Sequence, residues 1–303
     1  MRYVNVRSEE LPVLGFGTWK IKGPSGKRIL KCALDVGYRL FDTAQIYGNE
    51  DILGEAVRES NVRREEVFLV TKLWGSNLHY HKVKEAVRSS LKNLKTTYVD
   101  LLLIHYPNSN VPLYETFHAM QELKESGSIN LIGVSNFTLS LLKQAEGVRN
   151  THIFANQVPY HPFLPQERLL DYCQQQNILL MAYSPLAHGK VNGNRMLREI
   201  GKKYGKSPAQ VSLRWLTQQE NVLAIPKASA KAHQVENLEI FDFQLTEKER
   251  QIIASLAGSA PLNDVTWKVI SSVQSLPKVV RQLIERIFFT GSSSLSTVWT
   301  APE

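Results

Sequence analysis

Four polar side chains lie at or just beyond the ends of short apolar runs, and together they could move a proton. Asp42, Lys72 and His105 each close such a run, and Tyr47 lies just past the first of them. An ionisable residue in this position is not part of a hydrophobic core. If a carboxylate, a phenol, an ammonium group and an imidazole share one small space, proton transfer is the chemistry that they support.

The apolar runs that end at these residues are typical of the strands of a parallel α/β fold. They recur at intervals of roughly 30 residues, the length of one strand–helix unit, and their lack of alternation indicates burial on both faces. Because no linker divides the chain before about residue 258, we predict one (β/α)8 TIM barrel with its active site at the carboxyl ends of the strands. The predicted strands lie near residues 14–17, 38–42, 67–71, 99–104, 129–135, 154–157, 179–183 and 222–225.

Both ends of the chain are predicted to add to the barrel. Residues 3–6 and 11–13 predict a short N-terminal β-hairpin, and we expect a barrel domain over residues 1–258. Residues 259–303 predict a C-terminal helical extension with a mobile tail. The segment 279–289 has one apolar face with basic residues around it, so it could lie on a membrane surface. Packing of this segment against its own barrel is the favoured interpretation.

The composition is typical of a soluble globular protein. The chain has 303 residues, of which 43% are hydrophobic and 21% charged. No apolar stretch is long enough to cross a membrane, and the N-terminus breaks into polar residues before a secretory signal could form. Cys32 and Cys173 are far apart and share no metal-ligand spacing. We therefore expect two free thiols, no metal site and a cytoplasmic location.

The net charge of +8 could serve either a nucleic-acid binder or a protein that attracts a polyanionic cofactor. Nucleic-acid binders usually concentrate their basic residues on one element. Here Lys and Arg are scattered through amphipathic helices beside Glu and Asp. The distribution favours an anionic small molecule, and no nucleic-acid partner is expected.

Five short segments occur in an order that resembles one enzyme family. They cover residues 15–19, 37–44, 103–107, 132–137 and 182–186, and Tyr47, Glu50 and Gly54 continue the second of them. Over residues 1 to about 257 the chain resembles the aldo-keto reductase family. The short loop after the seventh strand, 187–190, is similar to that of bacterial-type members. The resemblance implies an oxidoreductase that reduces aldehydes and ketones to alcohols by hydride transfer from NAD(P)H.

The resemblance also implies roles for the four polar residues. Tyr47 would be the general acid that protonates the carbonyl oxygen, and a nearby ammonium group such as Lys72 is expected to lower its pKa. Asp42 would hold Lys72 charged and in position. His105 would orient the substrate oxygen as a neutral or positive hydrogen-bond donor. The alternative is a structural Asp42–Lys72 ion pair beside an ordinary strand-end histidine.

A set of cofactor-binding residues follows from the same resemblance. Ser135, Asn136 and Gln157 would bind the nicotinamide carboxamide, and Tyr183 would stack on one face of the ring. The alternative for Tyr183 is a core aromatic residue. No GxGxxG phosphate loop is found, and the family needs none. The other implied cofactor contacts are Gly17, Thr18, Trp19, Asp42, Ser184, Leu186, Lys227, Ser229, His233, Glu236 and Asn237.

The segment expected to bind the 2′-phosphate of NADPH departs from the family pattern. Lys227 fits, but Ala228 and His233 replace the usual Ser or Thr and Arg. Arginine makes a bidentate phosphate contact that histidine cannot make, whereas Ser229 offers a neighbouring hydroxyl. We expect NADPH to be preferred with reduced selectivity over NADH, and His233 to make that preference sensitive to pH.

The substrate pocket is expected to be apolar and to accept a small-molecule carbonyl compound. Trp19, Trp74 and Tyr106 would wall it beside Tyr47 and His105, although Trp74 and Trp19 could instead be ordinary barrel packing. We expect a monomer.

Two other functions are compatible with the same residues. One is a non-catalytic, cofactor-binding regulatory subunit, which the unusual tail favours. The other is a Schiff-base aldolase with Lys72 as nucleophile. The aldolase is disfavoured because Asp42 is expected to raise the pKa of Lys72, whereas such a lysine needs a lowered pKa.

Overall fold

Eight parallel strands form one sheet in the computed structural model, which describes residues 2–257. Each strand pairs with the next one along the chain, so the order around the sheet follows the sequence. This is the strand order predicted for a barrel. The strands are β3 (Phe16–Gly17), β4 (Leu40–Asp42), β5 (Phe68–Leu73), β6 (Val99–Ile104), β7 (Ile129–Ser135), β8 (Ala155–Pro159), β9 (Leu179–Tyr183) and β10 (Val222–Ile225).

The first and last of these strands close the sheet into a barrel. Leu14 and Ala224 form a parallel bridge just before β3. The Gly15 N–H donates to the carbonyl of Ala224 at 2.9 Å, and the Gly17 N–H donates to the carbonyl of Pro226 at 2.9 Å. A closed barrel leaves no strand edge unpaired and brings all eight carboxyl ends to one mouth.

The predicted N-terminal hairpin plugs the opposite end of the barrel. Its strands are β1 (Tyr3–Val6) and β2 (Glu9–Pro12). Arg7 and Ser8 form its two-residue turn with φ values of 49° and 70°, the left-handed backbone of a tight hairpin turn. Val6 and Leu11 are fully buried in the apolar cluster inside the barrel. Arg7 also donates to the backbone carbonyls before β9, which fixes the hairpin at the amino ends of the strands.

Helices in the described part of the chain surround the barrel and cover the outer faces of its strands. A large apolar cluster lies between the two layers, separate from the cluster inside the barrel. The helices are α1 (Gly23–Asp35), α2 (Glu50–Arg58), α3 (Tyr80–Leu94), α4 (Leu113–Glu125), α5 (Leu139–Glu146), α6 (Glu167–Gln175), α7 (Arg195–Tyr204), α8 (Pro208–Thr217), α9 (Lys231–Leu238) and α10 (Glu247–Ala254).

Gly54 allows the backbone of α2 to pack directly against the backbone at the end of α3. A Cβ atom at this position would lie 2.4 Å from the backbone carbonyl of Leu94 at the end of α3. Only glycine leaves room for such an approach. This packing holds α2, and with it the loop that precedes α2, against the barrel.

The predicted C-terminal extension lies outside the described residues. The domain boundary at residue 258, the amphipathic segment 279–289 and the tail therefore stay predictions. Among residues 2–257, no helix is long and apolar enough to cross a membrane. Within the same range, no group of His, Cys, Asp and Glu side chains could hold a metal ion.

Candidate active site

The structure brings the four predicted polar residues together at the carboxyl ends of the strands. Asp42 ends β4, Lys72 lies one residue before the end of β5, and His105 directly follows β6. Tyr47 lies in a 3-10 turn, Gln45–Tyr47, just past β4. The Lys72 Nζ lies 5.1 Å from the centre of the Tyr47 ring, and the rings of Tyr47 and His105 are 5.8 Å apart.

Lys72 and Asp42 form a buried ion pair in which every ammonium N–H has an acceptor. The Lys72 Nζ lies 2.8 Å and 2.7 Å from the two carboxylate oxygens of Asp42, and 2.7 Å from the carbonyl oxygen of Thr43. The exposed fraction is 0% for Lys72 and 4% for Asp42. Gln157 also donates to the Asp42 Oδ1 at 2.7 Å. Such complete pairing is what allows two charges to be buried.

The pKa of Lys72 moves in the direction opposite to the one predicted. Burial lowers it, and the charge and hydrogen bonds of Asp42 oppose this without reversing it. The sequence argued against a Schiff-base aldolase because Asp42 was expected to raise the pKa of Lys72, and that expectation was wrong. The structure disfavours the aldolase for another reason: the Lys72 amine is fully buried, and its three N–H groups are bound to acceptors. A nucleophilic amine needs an accessible lone pair.

The pKa of Tyr47 is raised well above its usual value, whereas the sequence predicted a lowered one. Burial is the main cause, followed by the negative charge of Asp42 and the neighbouring Tyr106. Lys72 does not reverse this shift because its charge is matched by Asp42 at 2.7 Å. The phenol is therefore protonated in the free protein.

His105 is a neutral imidazole. The pKa of His105 lies well below its usual value because the ring is buried and, secondly, because Lys72 is positively charged. The ring stacks on Tyr106 at 5.0 Å and meets the edge of Trp74 at 5.3 Å. Its Nδ1 is buried and has no hydrogen-bond partner among the described residues. Of the two states left open by the sequence, the structure favours the neutral one.

The residues predicted to bind the nicotinamide carboxamide form one hydrogen-bonded network. Asn136 donates to the carbonyl of His105 at 2.9 Å and to the Ser135 hydroxyl at 3.0 Å. Tyr183 donates its hydroxyl hydrogen to the Asn136 Oδ1 at 2.9 Å, and Ser135 donates to the carbonyl of Gln157 at 2.9 Å. Three neighbouring strands, β7, β8 and β9, thus carry their polar ends to one place beside Asp42.

The loop after β3 lies next to this network. Thr18 is fully buried and donates from both its N–H and its hydroxyl to the carbonyl of Asp42 at 3.0 Å. Trp19 follows at the mouth, with the Lys20 ammonium 4.4 Å from its ring centre. The edge of the Trp19 ring meets His188 at 6.1 Å. The loops after β3 and β9 therefore touch across the end of β10.

The loop after β9 contains the next two predicted cofactor contacts. Ser184 has a φ of 50°, so the chain turns sharply as it leaves the strand. Its carbonyl accepts a hydrogen bond from the N–H of Ala187 at 2.9 Å, which leaves Leu186 half-buried in the turn.

The predicted phosphate-binding residues lie between β10 and α9. Lys227 and Ser229 are exposed, and Ala228 between them is buried. The His233 imidazole is exposed, and its Nδ1 lies 3.1 Å from the Glu236 carboxylate one turn along α9. Asn237, which was predicted with Glu236 to bind nearer the adenine, is buried.

Sequence reasoning missed a set of amide side chains that tie neighbouring loops together. Asn49 is an example: it donates to the carbonyl of Thr18 at 2.8 Å and accepts from the Thr43 hydroxyl at 2.7 Å. It thus joins the loops after β3 and β4. The sequence signal that could have identified these residues is the presence of Asn or Gln within a few positions of a strand end. An amide that becomes buried there has to be hydrogen-bonded to a neighbouring group. The set comprises Gln45, Asn49, Asn108 and Asn156.

A carboxylate, a tyrosine, a lysine and a histidine thus meet at the carboxyl ends of the second, third and fourth barrel strands, β4, β5 and β6. The sequence profile of the Aldo/keto reductase family matches residues 13–257. The chain therefore belongs to the aldo/keto reductase family. Members reduce carbonyl groups with a nicotinamide cofactor, and this protein is an oxidoreductase of that kind.

Individual relatives agree with this assignment. The chain is 39% identical over 248 residues to the glyoxal reductase of Bacillus subtilis (strain 168), covering 82% of this chain and 89% of that protein. It is 40% identical over 253 residues to the 9,11-endoperoxide prostaglandin H2 reductase of Trypanosoma cruzi (strain CL Brener), with the same coverage, 82% and 89%. The crystal structure of a putative 2,5-diketo-D-gluconic acid reductase B superposes with a TM-score of 0.83 at 41% identity, covering 85% of this chain and 92% of that one. These relatives give no support to a regulatory subunit or a Schiff-base aldolase.

Proposed function

We propose that the protein reduces small aldehydes and ketones to alcohols, with NADPH as the preferred cofactor and Tyr47 as the proton donor. The observation that carries this proposal is the placement of the Tyr47 phenol beside both the Asp42–Lys72 pair and the His105 imidazole. When bound, the reduced nicotinamide supplies the hydride, which no side chain can provide.

Tyr47 can act as the acid even though its pKa is raised. The phenol is protonated before the reaction, since burial and the Asp42 charge both disfavour the phenolate. Hydride addition to a carbonyl carbon leaves an alkoxide, which is a far stronger base than a phenolate, so proton transfer from Tyr47 is favourable. The Lys72 ammonium, held by Asp42, lies 5.1 Å from the ring centre and stabilises the phenolate that remains.

His105 would orient the carbonyl oxygen toward Tyr47. Its ring is neutral because burial and the Lys72 charge lower its pKa. The Nδ1 is enclosed with no partner in the described part of the chain, so we place the proton on Nε2. An Nε2–H group at the mouth can donate to the carbonyl oxygen and stabilise the negative charge that develops there.

The polar strand ends fit a nicotinamide carboxamide, which has one acceptor oxygen and two N–H donors. Ser135, Asn136 and Gln157 offer the matching hydroxyl and amide groups, already ordered by hydrogen bonds to one another and to Asp42. Tyr183 lies beside them at the end of β9 and would stack on the ring. The residues that would continue the cofactor site toward the adenine are Gly17, Thr18, Trp19, Ser184, Leu186, Glu236 and Asn237.

The preference for NADPH rests on Lys227 and Ser229. Both side chains are exposed and offer a positive charge and a hydroxyl to a 2′-phosphate. Ala228 adds no hydrogen bond, and His233 is bonded to Glu236. We therefore propose a moderate preference for NADPH, with NADH also used.

The proposed substrates are small carbonyl compounds with an activated aldehyde, such as glyoxal. The Trp74 ring contacts His105 and Tyr106, and Trp19 lies at the mouth against His188, so we propose that these three aromatic residues wall the space in front of Tyr47 and His105. Such a wall favours apolar or compact substrates. The similarity to a glyoxal reductase supports this choice.

We further propose a monomer that works in the cytoplasm. Cys32 and Cys173 are both free thiols, as predicted, which suits a reducing compartment. Within the described residues, the exposed large hydrophobic side chains are Tyr3, Tyr114 and Met196 on three separate elements. Scattered residues of this kind do not form an association surface.

The test is to follow the absorbance of the reduced nicotinamide with glyoxal and other aldehydes, using NADPH and then NADH. We expect turnover with both cofactors and a higher kcat/KM with NADPH. Cofactor binding without turnover across a broad carbonyl panel would contradict the proposed function. An equal kcat/KM for the two cofactors would contradict only the part assigned to Lys227 and Ser229.

A further inference from the structure

Gln45 joins the turn that carries Tyr47 to the loop that carries Trp74. It is the first residue of the 3-10 turn that ends at Tyr47. Its Oε1 accepts hydrogen bonds from the Trp74 backbone N–H at 3.2 Å and from the Asn77 amide at 3.1 Å. Its Nε2 donates to the hydroxyl of Ser90 on α3 at 3.2 Å.

Both ends of the Gln45 amide are therefore occupied by groups on other elements. Ser90 is buried, so the Nε2 bond fixes the turn to the packed part of α3. Trp74 and Asn77 belong to the short turn that follows β5. Three bonds from one side chain thus set the position of the turn relative to both the helix and the loop.

The Tyr47 phenol has no hydrogen bond of its own to any residue in the described range 2–257. Its position therefore depends on the backbone of its turn and on packing with the Lys72 ammonium at 5.1 Å and the His105 ring at 5.8 Å. Trp74 also meets the His105 ring, at 5.3 Å. A shift of the turn relative to the loop would change the distance between the phenol and the indole.

We propose that Gln45 is a positioning residue that fixes the spacing between the Tyr47 phenol and the Trp74 indole. It thereby sets both the efficiency of proton transfer and the size of the aldehyde that fits between these rings. This inference rests on the proposed function, in which Tyr47 is the acid and Trp74 a wall of the pocket. A misplacement of about 1 Å can reduce a rate by about a hundredfold, so even a small loosening has a measurable effect.

The experiment compares Gln45→Met with Gln45→Glu in the full-length protein. Methionine has a similar shape but removes all three hydrogen bonds. A glutamate carboxylate can still accept from the Trp74 N–H, the Asn77 amide and the Ser90 hydroxyl. The matched control is Gln121→Met on α4, where the amide bonds only to Glu125 on its own helix among the described residues.

We expect Gln45→Met to lower kcat for glyoxal reduction about tenfold or more, by the positioning argument, and to leave NADPH affinity unchanged in fluorescence titration. The same variant should favour bulky aldehydes over glyoxal more than the wild type does. Gln45→Glu should retain kcat within about threefold of wild type because its geometry is kept. The Gln121→Met control should match wild type.

Three results would overturn the inference: an unchanged kcat in Gln45→Met, a parallel loss of NADPH affinity, or a Gln45→Glu variant as slow as Gln45→Met. A wild type that binds NADPH but reduces nothing would instead contradict the proposed function. The two failures are therefore distinguishable.

Discussion

Lys72 and Tyr47 illustrate how burial and charge pairing act together at the level of single residues. Desolvation at the barrel mouth lowers the pKa of Lys72 and raises that of Tyr47, because it penalises the charged form of each group. Asp42 opposes the first shift and adds to the second. The outcome is a protonated phenol beside a positioned ammonium group, which is the state that a proton donor requires.

The directions of these pKa shifts predict the pH dependence of the reaction. In the proposed mechanism, reduction requires protonated Tyr47 and neutral His105. The pKa of Tyr47 is raised and that of His105 is lowered. We therefore expect kcat with saturating NADPH to stay flat between about pH 6.5 and about pH 10, the ordinary values of imidazole and phenol. A steady-state pH profile checks this, with loss of rate expected only outside that window.

A decline in kcat that begins below about pH 9 would mean that the phenol titrates earlier than its ordinary value of about 10. Such a result would support the lowered pKa first predicted from Lys72. The Tyr114→Phe variant, which removes an exposed phenol on α4, should leave the profile unchanged.

At the level of elements, the packing of α2 against α3 holds the loop that carries Tyr47. Replacing Gly54 with alanine would place a Cβ atom 2.4 Å from the Leu94 backbone. We expect Gly54→Ala to lower the free energy of unfolding by about 2 kcal/mol, as overpacking does, although alanine is the better helix former. Urea unfolding measures this difference.

The control for this variant is Gly147→Ala. Gly147 ends α5 with a φ of −72°, and a Cβ there would lie 3.4 Å from the nearest atom. We expect that substitution to leave the free energy of unfolding nearly unchanged. If Gly54→Ala is as stable as Gly147→Ala, the close approach of the two helices is not a constraint on the fold.

At the proposed phosphate site, His233 in the first turn of α9 is a position where the preference for NADPH can be strengthened. Arginine at position 233 would add a bidentate group for the 2′-phosphate, and we expect His233→Arg to raise the ratio of kcat/KM for NADPH over NADH about tenfold. His152→Arg makes the same change at an exposed site outside α9 and should leave the ratio unchanged. An unchanged ratio in His233→Arg would show that this turn does not contact the phosphate.

At the level of the whole molecule, periodicity made the barrel predictable. Eight apolar runs at the spacing of strand–helix units fixed the strand order, and polar residues at the strand ends marked the mouth. Asp42, Lys72 and His105 could be found in this way because the strand places each of them without help from distant residues.

Other features depend on the assembled barrel and could not be predicted from local patterns. The pKa directions of Lys72 and Tyr47 follow from how strongly the assembled barrel mouth desolvates them, which no single run reveals. The roles of Gln45 and Asn49 depend on which loops become neighbours at the mouth. An amide in a loop has many local partners in principle, and only the three-dimensional arrangement selects one.

The central claim is that Tyr47 donates the proton, and Tyr47→Phe tests it most directly. Single-turnover reduction of glyoxal with NADPH should be about a thousandfold slower in the variant, which is within the range for loss of a general acid. The NADPH affinity measured by fluorescence titration should stay unchanged. A rate within about tenfold of wild type, below the usual contribution of a general acid, would contradict the assignment and show that another group supplies the proton.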